Sequence, residues 1–418
     1  MRILQVAPDH PAWTTGGTEF VASDLTRALN AWPGVEARLL ACTTRLQCPA
    51  PADGPLFGHG DDTILWTDAF DRFTLTRLDA PVWSAALERL LAEFPPDVVH
   101  LHGVDRIGVE LIPWLRRFAP RCRILLSLHA YQLPCANDGT LLRTHDGQRC
   151  DGPSADRCRR CFPDRALADF ELRDRFLRQA LAEVDLFLAP SAFLRDRHVG
   201  WGLPAERFAV VPNALPEGQH PASAPAYRRA QPGWRRSFAY FGNLAEHKGV
   251  LVLLEAAARL KAQGADLHVA LHGGFQHAGA AFRERFGARL AQAEPVASHV
   301  GAYRRDDLPS LMAAADWVVV PSVWWENAPL VILEAFRAGR PVICSGIGGM
   351  AELVADGVNG LYVVPGHAGD LADTMVEAAD RPELWSRLAQ AVPRVPTTTE
   401  WAAQHLSLYA GGGRCVAA

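Results

Sequence analysis

The chain has 418 residues, 49% of them hydrophobic and 21% charged, enough for two domains of ordinary size, each with a full core. A formal net charge of −4 excludes a nucleic-acid binder that works through bulk positive charge. No run approaches the roughly 18 apolar residues of a membrane span, and the apolar stretch at residues 3–7 is too short for a secretory leader, so a soluble cytoplasmic protein is expected.

Residues 3–7 read as a buried strand, the loop after it ends in Gly16-Gly17, and a helical pattern covers 18–30. A glycine pair between strand and helix can cradle a phosphate, although glycine also serves ordinary turns. One strand is expected at 36–42, and the polar stretch that follows, up to residue 80, shows no clear period. Residues 97–102 read as a buried strand with His100 and His102 at its carboxyl end, where open α/β sheets bind ligands, although a histidine there is more often structural. The strand at 123–128 runs into His129.

Cys135, Cys150, Cys158 and Cys161 follow, separated by Asp-Gly turns. The last two have the spacing of a chelating knuckle, and four thiolates suit tetrahedral zinc or an iron–sulfur cluster. Disulfides or free thiols are the alternatives, and nine cysteines in the whole chain make no disulfide scaffold. The segment is poor in apolar residues, so something other than a core must hold it. A four-thiolate metal would be structural, since it leaves no open position for substrate.

The stretch 165–184 reads as a helix with apolar residues and arginines interleaved. It can lie on an anionic membrane surface as a peripheral contact, or pack on the core with a solvated face. Strands at 185–189 and 208–211 complete an alternation that implies a doubly wound parallel sheet.

A shift to Pro, Ala and Arg at 214–236 marks a linker. A second sheet opens at 238–241 and runs through Gly242-Asn243 to Lys248, a point charge suited to phosphate at the start of a helix over 250–263. The apolar run 317–320 reads as a buried strand, and Glu326 stands in the loop after it. Pro329 suits the first turn of a helix over 330–338, and Glu334 falls inside that helix. The free amides near Leu330 and Val331 would face an anionic phosphate, leaving Glu326 and Glu334 to address hydroxyls. A strand at 341–344 leads to a second glycine-rich turn, Gly348-Gly349-x-x-Glu352. Taken singly, Glu326 would cap a helix and Glu334 would be a solvated surface residue.

The ordered set of strand, Glu326, Pro329, helix, Glu334, strand and Gly-Gly-x-x-Glu turn resembles the donor signature of the retaining nucleotide-sugar glycosyltransferases of family 4. The resemblance implies an α/β protein of GT-B architecture, two Rossmann-like doubly wound domains facing across a cleft. Residues 1–215 would form the acceptor-side domain, 216–236 the linker, 237–395 the nucleotide-sugar domain, and 396–418 a helix crossing back. The implied reaction moves a sugar from a nucleotide diphosphate sugar to an acceptor hydroxyl with retention, without a catalytic metal. The implied acceptor is a glycan or lipid-linked molecule of cell-surface polysaccharide or glycolipid assembly, at the inner face of the membrane. By resemblance, Glu326, His129 and Lys248 are the catalytic residues. Donor binding falls to Gly16, Gly17, Gly242, Asn243, Lys248, Tyr303, Asn327, Ala328, Leu330, Val331, Glu334, Gly348 and Gly349. Two positions depart from the family: Ala130 stands where an Asp is common and Asn243 where an Arg is usual. The rival readings are a GT-B epimerase or hydrolase, and a non-catalytic cysteine-cluster sensor on the same scaffold.

Overall fold

In the computed structural model of the chain, the described residues are 1–14, 16–218, 235–276 and 278–411. Most of the expected linker and the last residues of the chain therefore lie outside them. The fold divides into two units, Met1–Pro216 with Pro396–Ala418, and Glu217–Val395.

The strands of the first unit are β1 (Arg2–Ala7), β2 (Glu36–Thr43), β3 (Leu56–His59), β4 (Asp62–Trp66), β5 (Phe70–Asp71), β6 (Thr76–Arg77), β7 (Val98–Leu101), β8 (Arg123–Ser127), β9 (Leu186–Ala189) and β10 (Phe208–Val210). All but β5 and β6, which form a separate ribbon, join one sheet in the order β10-β9-β8-β7-β1-β2-β4-β3, parallel except for β3 at its edge. Ile3, Leu4 and Val6 are all buried because helices cover both faces, so the central strand is a continuous apolar run. β1 pairs with β2 on one side and β7 on the other, and the chain winds outward in opposite directions from this junction. Crevices for ligands open at the carboxyl ends of strands at such a switch point.

The stretch without a clear period, 44–80, holds the β3–β4 hairpin and the β5–β6 ribbon, elements too short to show one. The helix expected at 165–184 spans Leu167–Leu181, and Arg173 points inward from it. Its guanidinium donates to Phe73 O (2.6 Å), Leu133 O (2.7 Å) and Gln132 O (2.7 Å). One arginine of the supposed basic face is thus an internal tie.

The helix Thr398–Tyr409 belongs to this unit. It opens with a capping box in which Glu400 N–H donates to Thr397 Oγ1 (3.4 Å) and Thr397 N–H to Glu400 Oε2 (2.9 Å). Trp401, Ala402, His405 and Tyr409 are buried at helical spacing and form its inner face.

The second unit is a parallel six-stranded sheet in the order β13-β12-β11-β14-β15-β16. Its strands are β11 (Ser237–Phe241), β12 (His268–His272), β13 (Ala297–Gly301), β14 (Trp317–Val320), β15 (Val342–Ser345) and β16 (Gly360–Val363). Phe238 and Trp317, on paired strands, stack with centroids 6.3 Å apart in a core closed by Leu253, Leu254 and Met375. The switch point lies at β11, between β12 and β14. Among the described residues, no helix is long and apolar enough to cross a membrane.

Candidate functional site

Three loops of the second unit meet beyond the carboxyl ends of β11, β14 and β15. The loop after β11 ends in a 3-10 turn, Glu246–Lys248, and Gly249 at φ +74°. A Cβ on Gly249 would lie 1.9 Å from Pro321 O, so only glycine allows this loop to press against the loop after β14. Val323 N–H donates to His247 O (2.9 Å) and ties the two together.

Lys248 Nζ consequently reaches Glu326 Oε1 at 2.7 Å, and Ser322 Oγ donates to the same oxygen at 2.8 Å. Glu326 is only 4% exposed. Burial pushes its carboxyl up, but the Lys248 ammonium and these hydrogen bonds outweigh it and hold the group below the usual range, so it is anionic. The ammonium also stands 5.0 Å from the centroid of the Trp324 ring, which meets His247 edge-on.

The third loop is fixed by Gly349, whose N–H donates to Glu326 O at 2.8 Å and whose Cβ, were there one, would overlap Asn327 O at 1.5 Å. Gly348 sits beside it at φ +58°. Asn327 turns its side chain back to accept from Ala328 N–H. Pro329 is the N-cap of the helix Leu330–Arg337 rather than part of its first turn, and it offers no capping side chain. The amides of Leu330 and Val331 lie in the first turn, where no helical carbonyl can receive them.

Glu334 lies half-buried in that helix. Burial raises its carboxyl to about 7, against the lowering influence of Arg305 and Arg337. Tyr303, which meets Phe241 edge-on with centroids 5.8 Å apart, has its phenol pushed up by burial and then by Glu334. Gly242 N–H is bonded to His272 O (3.0 Å). Asn243 binds the backbone of Gln276 at both ends of its amide, accepting at 2.9 Å and donating at 3.3 Å. That side chain buttresses the loop, a role that no local pattern marks, because its partner lies 33 positions away.

In the first unit, Gly16 is the N-cap and Gly17 the first residue of the helix Gly17–Asn30. His129 follows β8. Its Nε2 lies 3.3 Å from Nδ1 of His102, and burial lowers its pKa to about 4, leaving a neutral imidazole. Sequence reasoning missed a polar cluster at the ends of β1 and β7. Asp9 accepts from Gln47 Nε2 (2.7 Å) and from Arg106, a residue held at φ +59°. Glu19 is buried against Gly16, and burial raises its carboxyl to about 7. Carboxylates at the carboxyl ends of two adjacent strands were the available signal.

The four cysteines line one cavity of about 230 Å³, with Cys158 and Cys161 a turn apart on the helix Ala155–Cys161. Burial raises the thiols of Cys135 and Cys158, the latter to about 11. Among the described residues, no three His, Cys, Asp or Glu side chains are placed to hold a metal ion. The thiols share a cavity but do not converge on a ligating geometry, so side-chain rotation would have to precede zinc or a cluster. A smaller cavity of about 50 Å³, walled by Arg72, Asp105, Gln132, Cys135 and Asp138, connects this segment with the carboxyl edge of the sheet.

Two family models match the chain, one described as "Glycosyl transferase 4-like domain" over residues 16–214 and one as "Glycosyl transferases group 1" over 235–381. The chain is 31% identical over 157 residues to alpha-D-kanosaminyltransferase of Streptomyces kanamyceticus, covering 38% of this chain and 40% of the relative. It is 36% identical over 146 residues to D-inositol 3-phosphate glycosyltransferase of Mycolicibacterium smegmatis, covering 34% and 32%. The matched segments thus span less than half of either relative. Among solved structures it is similar to sucrose-phosphate synthase from Thermosynechococcus elongatus, with a TM-score of 0.71, 20% identity and coverage of 98% and 99%. HepE of Anabaena in complex with UDP and glucose gives a TM-score of 0.70 at 18% identity, covering 98% of this chain and 100% of that one. At these identities the structural likeness is one of fold.

Proposed function

The chain belongs to the family-4-type glycosyltransferases of GT-B fold, and on that premise we propose that it transfers a glycosyl group from a nucleotide diphosphate sugar to an acceptor hydroxyl, with retention and without a catalytic metal. The observation that carries this reading is the Lys248–Glu326 pair, an anionic carboxylate and a part-exposed ammonium held at 2.7 Å beside an uncapped helix N-terminus.

Departure of a diphosphate requires preorganised positive potential at the leaving oxygens. Lys248 and the amides of Leu330 and Val331 supply it, while Asn243, turned to Gln276, adds none. Glu326, kept ionised, accepts hydrogen bonds from donor-sugar hydroxyls and orients the ring. Glu334 takes the ribose hydroxyls, and Tyr303 stands beside the base. His129, the neutral imidazole of the first unit, serves a substrate hydroxyl. A solved structure of HepE holds UDP-glucose, which favours a nucleotide sugar as donor here. The acceptor is a glycan or lipid-linked molecule presented at the inner face of the membrane.

Thermal unfolding with a panel of nucleotide sugars and free nucleoside diphosphates tests donor binding. A ligand at about 100 times its dissociation constant should stabilise the protein by about 2.7 kcal/mol. Glu334→Ala should shrink that gain, and a wild-type protein indifferent to every member of the panel would overturn the assignment.

A further inference from the structure

The indole N–H of Trp324 is buried in the second unit, yet it completes no hydrogen bond in this structure. An orphaned buried donor is unfavourable and rare, so its presence points to a second arrangement in which it is used. Its surroundings identify the acceptor. Trp324 lies two residues before Glu326, and its carbonyl accepts from Glu326 N–H at 3.0 Å. The indole is near enough to the Glu326 carboxyl to count with Lys248 and Ser322 among the groups that lower it, although the bond itself is not made. Lys248 Nζ at 2.7 Å and Ser322 Oγ at 2.8 Å already occupy Oε1. His247 meets the ring edge-on with centroids 4.8 Å apart, and the Lys248 ammonium lies 5.0 Å from the ring centre. One side chain thus attends both members of the ion pair.

A conflict of charge gives this arrangement a use. An ammonium paired with a carboxylate is nearly neutral from a distance and adds little field at a diphosphate. The side chain of Lys248 is 28% exposed and that of Glu326 5%, so the lysine, on its flexible stem, is the partner able to turn outward. The carboxylate stays behind, its backbone held by Gly349 N–H on Glu326 O. Left with Ser322 alone, it would be a buried charge short of partners. Neither other titratable group beside it can take the place of the ammonium. His247 is neutral, because burial lowers it to about 4, and the Tyr240 hydroxyl donates to Asn243 O at 2.7 Å.

We propose that Trp324 is a positioning residue for a partner exchange: when a diphosphate enters, Lys248 turns from Glu326 to its oxygens, and the Trp324 N–H takes the vacated place on the carboxylate. Glu326 thereby stays anionic and oriented while the charge of the ammonium becomes available to the leaving group. The exchange rests on the donor-site reading for its trigger, whereas the readiness of Trp324 to close on Glu326 is a property of the protein alone.

Proton–nitrogen NMR of labelled indoles tests that readiness without any nucleotide. The Trp324 resonance is the one missing from Trp324→Phe. In Lys248→Met at alkaline pH, confirmed as folded by its melting curve, it should move downfield as the N–H bonds the carboxylate, and an unmoved resonance would overturn the proposal. Calorimetric titration with UDP supplies a second arm that needs no lysine variant. Trp324→Phe keeps a ring and loses the N–H, and it should weaken UDP binding about tenfold, the scale of one hydrogen bond. In a Glu326→Gln background the same substitution should change UDP affinity little, because no buried charge then needs the donor. An equal loss in both backgrounds would show a merely structural ring and overturn the exchange. A wild type indifferent to UDP, with the indole still shifting in Lys248→Met, would sustain the readiness of Trp324 and count only against the donor-site reading.

Discussion

Lys248 Nζ lies 2.7 Å from Glu326 Oε1, and this contact joins the loops that follow β11 and β14, 78 residues apart in sequence. A buried carboxylate without a partner is strongly unfavourable, so the pair holds the loops in register as well as presenting charge. Breaking a buried pair costs roughly 3–5 kcal/mol, and the 28% exposure of the lysine side chain brings the expected loss for Lys248→Met to about 2 kcal/mol. Chemical denaturation should show it, and Lys248→Met with Glu326→Gln together should recover much of the loss, because the unpaired charge is gone.

Acid should weaken the fold between pH 6.5 and 4. His129, His198 and His405 are buried with pKa lowered from 6.5 to about 4, so the unfolded chain binds more protons than the folded one throughout this window. Stability rises with pH there. Glu334 acts in the opposite sense: raised from 4.5 to about 7, it contributes stability at low pH that is lost as pH rises through 7. Glu334→Gln should therefore steepen the acid loss, by at most one proton's worth of slope. Stability curves for the two proteins between pH 4 and 7.5 measure the difference.

Arg173 should tolerate neither Ala nor Lys. Three backbone carbonyls accept from its guanidinium, two of them at residues 132 and 133, shortly after His129. A lysine cannot span that fork, and the abandoned carbonyls are inside the protein. Arg173→Lys should lower stability by about 2–3 kcal/mol by denaturant titration, and a loss under about half a kcal/mol would show that the carbonyls find other partners.

The cysteine segment offers a separate test. Its four thiols surround one cavity in a stretch with little apolar content, which favours a structural zinc once the side chains rotate inward. Metal analysis of anaerobically purified protein should find about one zinc per chain, lost together with several degrees of melting temperature in Cys158→Ser. Four titratable thiols without metal would leave the segment held by the helix Ala155–Cys161 and its hydrogen bonds alone.

Much of the architecture was legible because the central strands of both sheets are parallel and buried on two faces, so strands such as β7 and β14 stand out as apolar runs ended by loop residues. The terminal helix was expected as a segment within 396–418, whereas the structure bounds it at Thr398–Tyr409, with Thr397 and Glu400 forming its capping box. What escaped depends on partners distant in the chain. Arg173 looks like part of a solvated basic face until Gln132 and Leu133 are placed beside it. Asn243 looks like a weakened phosphate ligand until Gln276 is seen holding its amide. The Asp9–Arg106 contact spans 97 positions and carries no local period.

The central claim is that Glu326 orients a donor sugar for transfer. Its most direct test compares wild type with Glu326→Gln, which keeps the volume and removes the charge, in one transfer assay with a nucleotide sugar that the thermal panel has shown to bind. Transfer should fall by a factor of about a hundred or more while the melting curve and nucleoside diphosphate binding persist. Unchanged turnover in the folded variant would contradict the account.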